Sequence, residues 1–94
     1  MIKHVVCFKL KDQSQIDKAV EILNSMKGNV PLAVEVFAHR DFLNSPRSYD
    51  IILEVTLNSK GDLEAYQVDE YHVNVVKKFM HQVIDKSVAV DYEF

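Results

Sequence analysis

The 94 residues hold 11 Lys and Arg against 14 Asp and Glu, a formal net charge of −3, and 48% are apolar. This is chain enough for one domain, 1–94, and with no basic cluster denser than Lys77–Lys78 it speaks against a nucleic-acid surface. Cys7 is the only cysteine, so no intrachain disulfide forms; one thiol and no signal-peptide pattern fit a cytoplasmic setting, and the apolar run Val5–Phe8 between Lys3 and Lys9 is too short to span a membrane.

From Ile2 to Leu10 the residues Ile2, His4, Val6, Phe8 and Leu10 alternate with Lys3, Val5, Cys7 and Lys9, a period of two that predicts a strand. Ser14 with Asp17 resembles a capping box, and Ile16, Ala19, Val20, Leu23 and Met26 follow at helical spacing up to a stop at Gly28. After Pro31, Leu32 to His39 reads as a second strand, and Arg40 to Ser48, with Pro46, as a loop. A third strand puts Tyr49, Ile51, Leu53, Val55 and Leu57 on one face and Asp50, Ile52, Glu54 and Thr56 on the other. Ser59 with Asp62 caps a short helix carrying Leu63 and Tyr66. Val68 to Tyr71 turn the chain into a longer helix from about His72 to Ile84, with Val73, Val76, Met80 and Val83 along its stripe. Val88, Val90 and Tyr92 close the chain as a fourth strand.

That order, β-α-β-β-α-α-β, is the split arrangement of an α+β, ferredoxin-like fold with an antiparallel sheet. Helices on one face leave the other face in water, where polar residues belong. Yet Val5 and Cys7 oppose Val6 and Phe8, Ile52 opposes Ile51 and Leu53, and Ala89 opposes Val88 and Val90. Two apolar faces call for a second sheet, and a homodimer packed sheet against sheet supplies it, with Val5, Cys7, Ile52 and Ala89 between protomers.

Tyr66 and His72, six residues apart in AYQVDEYHV, are the candidate chemical pair, a phenol and an imidazole able to act as proton donor and acceptor on a buried substrate. His4 adds a third polar ring to an apolar strand face. Each also has a structural reading: His72 bonded to a backbone or carboxylate group, Tyr66 packed with its hydroxyl on a partner at the core's edge, His4 satisfied within the core. Asp50 reads as a structural partner for a donor, Lys77 and Lys78 as the solvated side of a helix, and Cys7 as an inert interface thiol. His39 and His81 have no distinguishing neighbour, and Asp69, Glu70 and His72 make a poor metal set. Without a Gly-rich phosphate loop, nucleotides and phosphorylated sugars are poor ligands.

The segments IKHVVCFKLKD, RSYDIILEV, AYQVDEYHV and AVDYEF, in that order, resemble the stress-responsive A/B barrel (Dabb) family over essentially the whole chain. The resemblance implies a dimeric α+β barrel, in which two ferredoxin-like protomers join their sheets. The family's segment around the second histidine reads Tyr-x-x-His-Pro-x-His; here Tyr66 and His72 are kept, while Asp69 and Glu70 stand at the first histidine and the proline. By similarity to the family's plant polyketide cyclases, the resemblance implies an intramolecular aldol condensation without metal or organic cofactor. His72 is then the base, Tyr66 the hydrogen-bond donor to the developing oxyanion, and His4 the residue that orients the ligand. The implied pocket lies between sheet and helices, lined by Val6, Phe8, Ala19, Val20, Leu23, Leu53, Val55, Val76 and Phe79, and takes a small, apolar, oxygenated molecule. Three function classes stand: a dimeric barrel binding a small ligand, a cofactor-free acid/base enzyme, and a structural oligomer with no ligand.

Overall fold

The computed structural model describes residues 1–94. Its elements are β1 (Ile2–Leu10), a 3-10 turn at Gln13–Gln15, α1 (Ile16–Asn24), β2 (Glu35–Arg40), β3 (Ile51–Leu57), α2 (Lys60–Gln67), a π-helical segment at His72–Lys77, α3 (Lys78–Val83) and β4 (Ile84–Glu93). The strands form one antiparallel sheet in the order β2-β3-β1-β4, the ferredoxin-like arrangement. No helix is long and apolar enough to cross a membrane.

Period-two patterning places the core. His4 and Phe8 of β1, and Ile51, Leu53, Val55 and Leu57 of β3, are buried beneath the helices, joined by Val36 and Ala38 of β2. From above, α1 contributes Ile16, Ala19 and Leu23, α2 contributes Tyr66, and the last helical stretch adds Val76 and Met80.

Local departures from the expected boundaries have physical causes. Asp12, not Ser14, is the cap ahead of α1: its carboxylate accepts from the Ser14 N–H (2.9 Å) and hydroxyl (2.7 Å) and starts the 3-10 turn. β2 begins at Glu35 rather than Leu32, since Val30–Leu32 belong to a turn that Gly28 enters with φ 77°. Ser59 does cap α2, its hydroxyl accepting from the Asp62 N–H at 3.1 Å. Asp50 is buried and accepts from the Leu10 N–H (2.8 Å) and Gln13 Nε2 (3.1 Å), tying the start of β3 to the end of β1. Ile84 is the first residue of β4, not the last of the helix.

The register also corrects the expected faces of β4. Val90 lies opposite Val5 and Val88 opposite Cys7, so these share the sheet's outer face, whereas Ala89 lies opposite Val6 on the helix side. The outer face therefore presents Val5, Cys7, Ile52, Phe37, Val88 and Val90 as a largely apolar surface in which Glu54, between Phe37 and Val5, is the charged member, with Val88 49% and Val90 65% exposed.

Candidate functional site

Between the β1–β4 half of the sheet and the helical layer lies a cavity of about 400 Å³. β1 lends it His4, Val6 and Phe8; β3 and α1 lend Leu53 and Leu23. Tyr66 and Gln67 come from the end of α2, His72, Val76 and Lys77 from the π-helical segment, Met80 and His81 from α3, and Ile84 and Ser87 from β4. The fold thus brings together the three rings singled out in the sequence and five of the nine apolar residues expected around them, Val6, Phe8, Leu23, Leu53 and Val76. Ala19 and Val55 are wholly buried in the packed core, and Val20 and Phe79 pack against that core instead of lining the cavity. On the same face of the sheet α1 packs over β2 and β3, and the cavity opens beside it toward β1 and β4.

The break between α2 and the last helix builds the polar wall. Asp69 accepts from the His72 N–H at 3.1 Å, an N-cap hydrogen bond that starts the new helix and fixes the His72 backbone. The His72 ring stacks on Tyr66, centroids 4.2 Å apart with planes at 24°, and His4 meets the same phenol edge-on at 5.8 Å. His72 Nδ1 donates to the Tyr66 carbonyl at 2.9 Å. A carbonyl accepts only, so the proton sits on Nδ1, and Nε2 carries the lone pair and has no protein partner. Burial holds His72 below the ordinary imidazole range, with Lys77 and His4 adding like-charge pressure, so the ring is neutral near pH 7.

Tyr66 takes the packed orientation of its structural reading, not that of a donor to a ligand. Its hydroxyl donates to Met26 Sδ at 3.6 Å, inside the core and away from a ligand's reach, and burial, then the Asp69 charge, pushes the phenol far above its usual range. Its contributions to the site are the aromatic face under His72 and the carbonyl that sets the tautomer. His4 Nδ1 pairs with the Asp91 carboxylate, its directly opposite neighbour on β4.

Two residues read as ordinary surface belong to the cavity. In a π-helical segment the pairing runs i to i+5, so both the fourth and the fifth residue after His72 flank its face. Val76 and Lys77 thus line the cavity together, and Lys77 is half-buried, with Nζ donating to the Gln67 carbonyl at 2.8 Å. His81 follows one turn on. Ile84 and Ser87 share the cavity side despite odd spacing because a register shift between Lys9 and Leu10 leaves Asp85 as an extra residue in β4. No sequence signal marks that bulge; the β-branched residues Val73, Val75 and Val76 are a local hint of a loosened helix. Cys7 lies on the opposite face of the sheet, where burial, then Glu54, pushes its thiol up, as befits an inert thiol.

Comparison with known proteins agrees with this architecture. Residues 2–94 match the stress responsive A/B barrel domain family. The chain is 29% identical over 97 residues to a stress-response A/B barrel domain-containing protein of Arabidopsis thaliana; the alignment takes in 98% of the chain but only 36% of that protein, so the chain spans about a third of its relative. Among solved structures it is similar to a dimeric protein of unknown function with a ferredoxin-like fold from Bacteroides fragilis, at TM-score 0.84 and 21% identity over 99% of this chain and 95% of that one. It is also similar to the hydroxynitrile lyase of Passiflora edulis, at TM-score 0.77 and 21% identity over 97% and 90% of the two chains. At such identities the likeness speaks for the fold alone.

Proposed function

This chain belongs to the stress responsive A/B barrel domain family, and from that membership we propose that it is a homodimeric α+β barrel whose cavity binds a small, largely apolar, oxygenated molecule. The cavity carries this reading. Its volume of about 400 Å³ falls in the range of small-ligand sites, eight of its 14 lining residues are apolar, and a neutral imidazole with an unpartnered Nε2 stands in its wall. The homodimer is supported by the apolar outer face and by the edge strand β4, where Ile84 alone is less than exposed. The relative from Bacteroides fragilis is described as dimeric. The single unpaired Cys7 favours a cytoplasmic location. Native mass spectrometry of freshly purified protein tests the reading: the expected result is a dimer carrying a small organic mass. Ser87 lines the cavity but is exposed, so Ser87→Trp should displace that mass and keep the dimer. A monomer, or a dimer whose cavity takes up no apolar probe, overturns the reading.

A second reading, acid/base catalysis without a cofactor, is favoured by one observation, the fixed tautomer of His72. A neutral imidazole held by a carbonyl at Nδ1 has Nε2 free to take a proton from an activated carbon, as an intramolecular aldol condensation requires. His72 is the reacting group in this reading; Tyr66 holds it and donates nothing to the substrate. His72→Ala should then lower turnover by about two to four powers of ten with the fold intact. Unchanged turnover in that variant removes the reading.

A further inference from the structure

The cavity's lining carries no acidic residue, although the chain that builds it is acidic overall. Acidic residues outnumber basic ones by 14 to 11, yet the 14 residues lining the cavity include Lys77, three histidines and no Asp or Glu. Four other depressions on the molecule all carry carboxylates: Asp41 and Asp50 in one, Glu35 in the second, Glu64, Asp91 and Glu93 in the third, Asp69 and Glu70 in the last. Absence of acid thus sets this cavity apart from those four.

The positive charge is also held in place. The Lys77 ammonium spends one of its three donors on the Gln67 carbonyl, which fixes its position and leaves two free. No carboxylate pairs with Lys77, while the only histidine of the cavity with a carboxylate partner is His4, matched by Asp91. The uncompensated charge therefore sits on the helical wall, where His81 follows Lys77 by four residues and faces the same space. The sheet opposite it contributes the apolar residues Val6, Phe8, Leu53 and Ile84, and Leu23, Val76 and Met80 extend the apolar lining among the helices.

We propose that the cavity selects an anionic amphiphile, a molecule with an apolar body and one carboxylate head, and that Lys77, seconded by His81, takes the head. The proposal rests on the ligand-binding reading above and narrows it to a chemical class. A charge-assisted hydrogen bond from the half-buried Lys77 at the cavity's edge is the source of the selectivity.

Calorimetric titration of the full chain with decanoate, methyl decanoate and decan-1-ol tests it, because the three share a hydrocarbon body and differ in the head. Decanoate should bind roughly tenfold or more tightly than the other two, and added salt should weaken decanoate alone. Lys77→Met should erase the preference by weakening decanoate and leave decan-1-ol unchanged; Lys77→Gln serves if the first variant melts early. Equal binding of the three probes overturns the anion selectivity and leaves the apolar site standing. Strong decanoate binding that survives both Lys77 variants overturns the assignment of the head to Lys77. No binding of any probe overturns this proposal and the ligand-binding reading together.

Discussion

Tyr66 and His72 divide one task between side chain and backbone. The Tyr66 hydroxyl reaches only a thioether, a weak acceptor, so its deletion removes little. Tyr66→Phe should keep stability within about 1 kcal/mol and leave ligand uptake unchanged, by urea unfolding and by titration. Tyr66→Ala removes the ring beneath His72 and should cost about 3–5 kcal/mol. His72 is linked to pH in a definite sense. Its folded-state value lies below the ordinary 6.5, so the unfolded chain takes up a proton that the buried ring resists. Stability is therefore fully present above 6.5 and is lost as pH falls from there through the lowered folded-state value. In His72→Gln this part of the decline between about pH 7.5 and about pH 5 should vanish, which urea midpoints at the two pH values will show. An equal decline in both proteins would contradict the neutral buried ring.

Single side chains also decide how whole elements are held. β2 is an edge strand, and Asn24 at the end of α1 closes part of that edge: its Nδ2 donates to the Ala38 carbonyl at 3.0 Å and its Oδ1 accepts from the Ala38 N–H at 2.9 Å. Helix and strand are thereby fixed to each other by a residue that mimics a paired strand. Asn24→Ala leaves both Ala38 groups without their partner and should cost about 1–3 kcal/mol, with faster amide exchange at Ala38 as the local signature. The π-helical segment acts at the same scale, because its wider turn presents Val76 and Lys77 to one cavity.

At the scale of the whole molecule the sheet has one covered face and one apolar open face. Val90 separates the stability of the protomer from that of the dimer, since it is 65% exposed in the single chain and lies on the outer face of the edge strand β4, opposite Val5. Val90→Lys should leave the protomer folded, with circular dichroism unchanged, while sedimentation shows the dimer weakened by roughly a hundredfold or more. The cause is an ammonium introduced among the apolar residues of the contact surface, where its desolvation opposes association. Undiminished dimerisation would show that the sheet faces are not the interface.

The alternations in β1 and β3, the cap at Ser59 and the apolar stripe through Ala19 and Leu23 are local signals, so the order of elements, the ferredoxin-like topology and the two-sided apolar sheet could be read from the sequence alone. The same patterns, with the family resemblance, pointed to a pocket near His4, Tyr66 and His72. They could not say where the tips of those side chains point. The Tyr66 hydroxyl is directed by Met26, forty residues away, and His4 is paired by Asp91 at the far end of the chain. Nor could they place Ala89, Lys77 or His81, since a bulge at Asp85 and a π turn after His72 shift the faces by fractions of a turn without changing composition. A period of two or 3.6 says which residues share a face; which partner that face meets, and in what register, is set by packing between distant segments, and the chemistry of the cavity depends on that packing.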